Sequence, residues 1–175
     1  MDINNKLREI IPEVADFPVR GISFKDITPL LLRPDIIQLM NSEMAERARA
    51  YEIDIVAGID ARGFLLGPML AQNLNAGFVP IRKKGKLPRT TIETSYELEY
   101  GEATLAVHAQ DIPKGSRVLL HDDLLATGGT ASAAVALLRK AGAEVVTAQF
   151  IIALDFLPGR EKLENIPVEA LVHYG

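Results

Sequence analysis

The chain has 175 residues and a mass of 19.1 kDa, a length typical of a single domain. Its net charge of −4 argues against a general nucleic-acid binder, which would normally carry a basic excess. The chain contains no cysteine, which excludes disulfides and thiolate metal sites. The N-terminus lacks the apolar core of a signal peptide, and no apolar run approaches the ~18 residues of a membrane helix. We therefore expect a cytoplasmic protein without nucleic-acid or membrane partners.

The first predicted element is a short amphipathic helix over residues 2–11, which ends near Pro12. The segment Asp16–Pro29 that follows is rich in proline, glycine, aromatic and β-branched residues. Its proline and glycine content favours a loop over a regular element. Such a loop can simply cover the core, or it can bind a ligand.

A helix is predicted from Pro34 to about Tyr51, because proline suits the first turn and apolar residues recur at helical spacing. The apolar run 53–59 then predicts a strand, and residues 64–71 predict a helix. A strand, a short loop and a helix form the βα unit of a parallel sheet, whose ligands lie at the carboxyl ends of the strands. The loop Asp60–Gly63 lies at such an end, as a surface turn or as an anion site.

A second strand, residues 77–81, leads directly into a basic segment, Arg82–Arg89. A solvated loop is one explanation for its lysines and arginines. Because the segment follows a parallel strand, however, it should emerge on the same side of the sheet as Asp60–Gly63. There its cations could stabilise the charge that develops on an anionic leaving group.

Residues 91–108 show the alternation of a β-hairpin arm. One face of its first strand carries Ile92, Thr94, Tyr96, Leu98 and Tyr100, and the other carries Thr91, Glu93, Ser95, Glu97 and Glu99. An edge hairpin and a cover over a reaction centre both fit this pattern. Alternation alone does not choose among the glutamates.

The run Val118–Thr130 predicts a strand, two adjacent carboxylates and a glycine-rich turn, followed by a helix over residues 131–140. The free N–H groups and the dipole of a helix N-terminus favour an anion such as phosphate. Asp122 and Asp123 would repel phosphate, so we expect them to face sugar hydroxyls or a cation. Such a site fits a sugar phosphate, although a Gly-Gly turn can also be a mere connection.

The remaining elements complete an α/β pattern: Gly142 as a helix cap, a buried strand at 145–154, a short helix from Gly159 to Leu163 and an edge strand at 168–174. His108, His121 and His173 have no spacing that suggests a metal site or a catalytic dyad. We see no linker and no internal repeat, and expect one domain, 1–175.

Four of these segments carry a resemblance: Phe17–Pro29, Arg82–Pro88, Ser95–Gly101 and Val118–Thr130. Together they resemble the type I phosphoribosyltransferases, and within these the adenine phosphoribosyltransferases, over residues 16–174. Two departures are His121, where the family usually has an aliphatic residue, and Arg20, where it often has proline. The resemblance implies a mainly parallel twisted sheet flanked by helices, an N-terminal helix and base-binding loop (1–33) and a mobile hood (83–108).

The implied reaction transfers the 5-phosphoribosyl group of phosphoribosyl diphosphate (PRPP) to adenine, giving AMP and diphosphate in purine salvage. Ala126, Thr127, Gly128, Gly129 and Thr130 would bind the 5′-phosphate, and Asp122 and Asp123 the ribose hydroxyls. The diphosphate would lie at Asp60, Ala61, Arg62, Arg82, Lys83 and Lys86, with Asp60 orienting Arg62 and a cis Asp60–Ala61 peptide. Adenine would stack on Phe24, beside the backbone of Ser23 and Lys25, and give its proton to Glu99.

The resemblance also implies Mg²⁺, held mainly by substrate and water rather than by protein ligands. It implies a homodimer in which Arg82 can reach the neighbouring site. Two alternatives are a transferase of the same fold for another purine, such as xanthine, and a non-catalytic regulator that senses PRPP. The base loop and the hood segment disfavour both, and the net negative charge further disfavours a DNA-binding regulator.

Overall fold

A computed structural model describes residues 2–97 and 101–175 of the chain. Five α-helices occur within these residues: α1 Ile3–Arg8, α2 Thr28–Leu31, α3 Pro34–Ala48, α4 Gly63–Asn73 and α5 Gly129–Lys140. The strands of the same residues are β1 Glu13–Ala15, β2 Ser23–Lys25, β3 Ile55–Ile59, β4 Gly77–Lys83, β5 Thr91–Glu97, β6 Glu102–His108, β7 Arg117–Leu125, β8 Glu144–Leu154 and β9 Val168–Tyr174. Short 3₁₀ turns lie at Arg49–Tyr51 and Glu161–Leu163.

The main sheet has seven strands in the order β5-β6-β4-β3-β7-β8-β9. Strands β4, β3, β7, β8 and β9 are parallel, and β6 joins them as an antiparallel neighbour of β4. Strand β3 is buried along its whole length because it lies inside the sheet with helices on both faces. The predicted fold class, a single mainly parallel α/β domain, is confirmed.

Each face of the sheet has its own hydrophobic core. On one face, Ile55, Ala57 and Ile59 of β3 pack in a cluster with the apolar side of α5. On the other, Val56 packs in a cluster with residues of α1, α3 and α4. Because successive side chains of a strand alternate, one short strand contributes to both cores. The sheet is thereby fixed from both sides, and its carboxyl edge is free to carry loops.

Most predicted elements are confirmed, with bounds shifted by a few residues. The segment 16–29 is an exception, since β2 pairs with β1 in a separate two-stranded antiparallel sheet and α2 begins at Thr28. The basic segment also begins inside β4, which extends to Lys83. The edge position of β9 and the cap at Gly142, with a φ of 95°, are as predicted.

The predicted hairpin arm consists of β5 and β6, which pair in register from Thr91↔His108 to Glu97↔Glu102. Its root is joined to the main sheet by the residue pairs Arg82↔Ala106 and Lys83↔Leu105, and the Lys84 N–H donates to the Thr104 carbonyl oxygen at 3.0 Å. The mobility of the arm stays a prediction. Within the described ranges, no helix is long and apolar enough to cross a membrane, and the cytoplasmic location likewise stays a prediction.

Candidate active site

The carboxyl ends of three adjacent parallel strands bring the predicted site residues together. Asp60 follows β3, Arg82 lies near the end of β4, and Asp122 and Asp123 lie near the end of β7. These strands are neighbours in the order β4-β3-β7, so side chains far apart in the sequence meet at one edge. The chain therefore places acidic and basic groups in one cleft, as ligand sites of open α/β sheets commonly are.

The glycine-rich turn forms a cradle at the start of α5. Gly128 precedes the helix with a φ of 77°, a left-handed conformation that glycine adopts without steric cost. A cavity of about 240 Å³ opens over this turn, and its lining comprises Ile59, Asp60, Asp122 and residues 124–131. The first N–H groups of a helix have no partner within the helix, so they can bind an anion in this cavity.

Asp122 and Asp123 form a buried pair of carboxyl groups beside the cradle. Burial, with the negative charge of Asp123, raises the pKa of Asp122 to about 8. Burial also raises the pKa of Asp123, although Arg62 opposes this shift through an ion pair of 2.8 Å between its Nε and Asp123 Oδ2. The backbone N–H of Asp123 donates to Asp122 Oδ1 at 2.9 Å. Without a ligand, burial and the repulsion between the two carboxylates therefore favour a proton on the pair.

A second ion pair joins the ends of β3 and β4. Arg82 Nε lies 2.8 Å from Asp60 Oδ2, and Arg82 also donates to the carbonyl oxygen of Lys86 at 3.2 Å. The expectation that Asp60 orients Arg62 is therefore wrong: Asp60 orients Arg82, because the two adjacent strand ends bring them together. The Asp60–Ala61 peptide bond is cis, as the resemblance implied.

The lysines of the basic segment differ in whether their side chains form an ion pair among the described residues. Lys83 and Lys86 are exposed to solvent. Lys84, by contrast, pairs with Glu93 of the arm at 2.9 Å. Lys83 and Lys86 are therefore available to an anion at the mouth of the cleft, whereas Lys84 contributes to holding the arm.

The N-terminal sheet brings Phe24 to the same cleft. The Arg62 guanidinium lies over the Phe24 ring, 5.2 Å from its centroid, and Phe17 contacts the ring edge-on at a centroid distance of 5.1 Å. The Lys25 side chain is directed elsewhere, since its Nζ pairs with Glu13 and lies over the Tyr174 ring. Ser23 Oγ also donates to Glu13. Strand β2 has β1 as its one neighbour among the described residues, which leaves backbone groups of its outer edge for a ligand.

The arm contacts the cradle through a tyrosine. Tyr96 Oη of β5 lies 3.2 Å from Thr130 Oγ1 of α5. Glu97 is exposed, and Glu99, the predicted proton acceptor, lies outside the described residues. Tyr96 was not among the predicted site residues, and its alternating position indicated only that it faces away from Glu97.

Gly159 is a further residue that sequence reasoning did not assign to the site. A Cβ on Gly128 would lie 2.6 Å from the carbonyl oxygen of Gly159, and a Cβ on Gly159 would collide with the carbonyl oxygen of Ala126. The loop after β8 thus supports the cradle from behind through direct backbone contact. No sequence signal separates Gly159 from an ordinary turn glycine.

The unusual His121 is fully buried in β7. Its Nδ1 lies 3.0 Å from the carbonyl oxygen of Gln149, so Nδ1 carries the proton and donates it. Burial lowers the pKa of His121 to about 4, which keeps the ring neutral. Nε2 has no partner within the described residues. His121 is thus an interior residue that supports the strand carrying Asp122 and does not reach the cleft.

Comparisons with known proteins identify relatives over nearly the full chain. A model of the phosphoribosyl transferase domain matches residues 29–167. The chain is 48% identical over 169 residues to the adenine phosphoribosyltransferase of Christiangramia forsetii, which covers 97% of this chain and 99% of the relative. It is 48% identical over 170 residues to that of Thermobifida fusca, with 97% of each chain covered.

Solved structures give the same result in three dimensions. The adenine phosphoribosyltransferase of Rhodothermus marinus superposes with a TM-score of 0.93 at 48% identity, covering 98% of each chain. The Saccharomyces cerevisiae enzyme, complexed with an imino-altritol bisphosphate and adenine, superposes with a TM-score of 0.91 at 39% identity, covering 97% of this chain and 98% of that one.

Proposed function

This chain belongs to the phosphoribosyl transferase family and, within it, to the adenine phosphoribosyltransferases, and we propose that the cleft described above carries out their reaction. The chain transfers the 5-phosphoribosyl group of PRPP to adenine, giving AMP and diphosphate in purine salvage. The observation that carries the assignment of the site is the cavity of about 240 Å³ lined by Asp60, Asp122 and the turn at the start of α5.

The cradle Ala126–Thr130 binds the 5′-phosphate of PRPP. Its free backbone N–H groups and the hydroxyls of Thr127 and Thr130 supply donors, and the helix dipole favours the negative charge. The close backing by Gly159 supports this role, because a cradle that is already in place needs little reorganisation when the ligand binds.

Asp122 and Asp123 accept hydrogen bonds from the ribose hydroxyls. Ribose donors favour the ionised carboxylates, and so does the positive charge that develops at the anomeric carbon as diphosphate leaves. The raised pKa of Asp122 supports this role, since a carboxyl pair that holds a proton without ligand can release it when donors arrive. Arg62 keeps Asp123 in place through its 2.8 Å ion pair.

The diphosphate lies between the loop Asp60–Arg62 and the exposed lysines Lys83 and Lys86. Arg82 reaches it from its position against Asp60, which fixes the guanidinium at the cleft. As the bond between the anomeric carbon and the diphosphate oxygen breaks, these cations stabilise the charge on the leaving group. The expected reach of Arg82 into a neighbouring subunit would require its pair with Asp60 to open.

Adenine stacks on Phe24, and its edge meets the backbone of Ser23 and Lys25 at the outer edge of β2. A nitrogen of the base bonds to the anomeric carbon, and Glu99 takes the proton that this nitrogen releases. The Arg62 guanidinium over the Phe24 ring supports the placement, because it brings the base loop against the ribose-binding aspartates.

Mg²⁺ accompanies the diphosphate and offsets its charge. Within residues 2–97 and 101–175, no group of three or more His, Asp or Glu side chains is placed to hold a metal ion. Asp60 and Asp123 are each engaged by an arginine. Magnesium often keeps several waters and binds through substrate phosphates, and we propose that mode here. Calorimetry should detect Mg²⁺ binding in the presence of PRPP and none at submillimolar affinity in its absence.

We propose a homodimer that forms through α4. Leu65 and Met69 are 42% and 38% exposed and lie four residues apart, so they share one face of the helix. Adjoining apolar side chains on one exposed helix face can form part of a contact with another protein surface.

The reaction is tested by incubating the protein with PRPP, Mg²⁺ and each purine in turn. Adenine should give AMP far faster than any other purine gives its nucleotide. Tight PRPP binding without product would indicate a sensor, and a faster reaction with xanthine would move the chain to a different specificity.

The proton acceptor is tested by comparing Glu99→Gln with Glu97→Gln. We expect Glu99→Gln to lower kcat by about 100-fold, as is usual for loss of a general base, with PRPP binding nearly intact. Glu97→Gln removes the same charge from the exposed end of β5 and should leave kcat within about twofold of the parent. The opposite pattern would assign the role to Glu97.

A further inference from the structure

The contact between Tyr96 and Thr130 joins two parts of the site that the reaction must bring together. Tyr96 is half-buried and packs with Ile92 against the core beneath α5. Its hydroxyl lies 3.2 Å from Thr130 Oγ1, the second residue of the helix that begins at the cradle. The arm is thus tied to the 5′-phosphate site by one hydroxyl pair.

The chemistry of two hydroxyls decides the direction of this hydrogen bond in the loaded site. Each hydroxyl has one hydrogen to donate and lone pairs to accept with. A phosphate oxygen is a pure acceptor, so Thr130 must donate its hydrogen to the phosphate. The Thr130 oxygen can then accept from Tyr96, and the phenol is the group that donates.

We propose that Tyr96 is a positioning residue for PRPP: it donates to Thr130 Oγ1 and turns the Thr130 hydrogen toward the 5′-phosphate. The proposal rests on the assignment of Ala126–Thr130 to the 5′-phosphate. A hydroxyl that accepts a hydrogen bond also becomes a better donor, so the phenol strengthens the bond from Thr130 to the phosphate.

The same contact links ligand binding to the position of the arm. A second tie, from Lys140 Nζ to the carbonyl oxygen of Glu93 at 2.8 Å, lies at the far end of α5 and touches no part of the cradle. Of these two contacts, the hydrogen bond from Tyr96 to Thr130 is therefore the one that phosphate binding affects. Glu99 follows Tyr96 by three residues in the chain. Phosphate binding at Thr130 thereby favours the arm position in which Tyr96 is docked.

The first test compares Tyr96→Phe, which removes only the hydroxyl, with Ser95→Ala. Ser95 belongs to the same strand, and its hydroxyl bonds to Thr104 Oγ1 at 2.8 Å, within the arm itself. Tyr96→Phe should weaken the affinity for ribose 5-phosphate and raise the KM for PRPP by about 5- to 10-fold, the effect of one hydrogen bond near a charged group. The KM for adenine and the values for Ser95→Ala should stay within about twofold of the parent.

A double-mutant cycle separates positioning from a general effect on the fold. Tyr96→Phe should have its full effect beside Thr130→Ser, which keeps the hydroxyl, and almost none beside Thr130→Val, which removes it. Equal losses from Tyr96→Phe in both backgrounds would overturn the proposal, as would an unchanged affinity for ribose 5-phosphate.

The outcomes also distinguish this proposal from the assignment beneath it. If Thr130→Val leaves ribose 5-phosphate binding unchanged, the Thr130 hydroxyl does not bind the 5′-phosphate and the proposed assignment is wrong at this residue. If Thr130→Val weakens binding and Tyr96→Phe does not, the cradle stands and only the role of Tyr96 is wrong. Because ribose 5-phosphate binding is measured without adenine, neither outcome depends on catalysis.

Discussion

At the scale of single residues, the carboxyl pair of Asp122 and Asp123 has an energetic cost when no ligand is bound. The folded state raises the pKa of Asp122 to about 8, whereas an unfolded aspartate titrates near 3.8. Between these values the folded state holds more protons than the unfolded state, so this group's contribution to stability falls as the pH rises from about 4 to 8.

Asp122→Asn should remove the loss of stability that the ionisation of Asp122 causes as the pH rises. We expect the free energy of unfolding of the ligand-free variant to exceed that of the parent by roughly 1–3 kcal/mol at pH 8, and by much less at pH 5. Turnover should nevertheless fall by about 100-fold or more, because the ribose loses a carboxylate acceptor. Urea unfolding at the two pH values measures the first effect, and a gain that does not depend on pH would contradict the repulsion.

The contribution of His121 to stability depends on pH in the opposite direction. Its pKa is lowered to about 4 by burial, from 6.5 in the unfolded state, so the folded state resists protonation. Stability from this group is fully present above pH 6.5 and is lost as the pH falls toward 4.

The stability of His121→Leu relative to the parent should therefore increase as the pH falls. The difference in the free energy of unfolding between variant and parent should shift by about 2 kcal/mol in favour of leucine from pH 7.5 to pH 5. Denaturant titrations at both pH values measure it. Parallel stability profiles would mean that the ring is protonated inside the fold.

The sequence predicted which residues gather at the strand ends, but not how they pair. The resemblance implied that Asp60 orients Arg62, yet Arg62 pairs with Asp123 and Asp60 with Arg82. Such pairing depends on which strands become neighbours. The order β4-β3-β7 is a tertiary property that no local pattern contains.

At the scale of elements, the hairpin arm is held at its root by a cluster of three side chains. Arg89 donates to both carboxylate oxygens of Asp111, at 2.9 and 2.6 Å, and also contacts His108 Nδ1 at 2.9 Å. The Arg89 hydrogen bonds hold the pKa of Asp111 below its usual value. Since a short ladder of residue pairs joins β6 to β4, this cluster adds to a short connection.

Arg89→Ala should loosen the arm without affecting the centre of the sheet. We expect backbone amides of β5 to exchange with deuterium about 3- to 10-fold faster, while those of β7 keep the parental rate. Arg33→Ala, which breaks an exposed pair with Asp35, serves as the control. Unchanged exchange in β5 would show that packing on α5 alone holds the arm.

The N-terminal sheet shows where element prediction fails. Proline and glycine indicated a loop between Asp16 and Pro29, but β2 forms because it pairs with β1, ten residues earlier. Each strand has three residues, too few for an alternation to be recognised. By contrast, β3, β7 and α5 are long and apolar enough for their sequence alone to predict them.

At the scale of the whole molecule, the alternation of strands and helices was enough to predict a mainly parallel sheet. The packing of helices on both faces follows from strands that are apolar along their whole length. An interface with another subunit is harder to predict from the sequence, because the fold decides which apolar side chains are exposed together on one face.

The proposed dimer gives a test at this scale. Replacing Leu65 and Met69 of α4 with glutamate should shift the protein to the monomer mass in light scattering after gel filtration, with an unchanged circular dichroism spectrum. Leu32→Glu, which alters a leucine that is 83% exposed and lies outside α4, should leave the mass as in the parent. A double variant that keeps the parental mass would place any interface elsewhere.

The backbone contact between Gly128 and Gly159 has a consequence for engineering. A side chain at either position would occupy space filled by the other loop, and Gly128 also has a φ of 77°. A larger residue at either position cannot be accommodated by the movement of a neighbouring side chain, because the nearest atoms belong to the backbone. A library designed to change the purine that the chain accepts can leave both glycines fixed and vary the base loop instead, where the Phe17 and Phe24 rings contact each other as side chains.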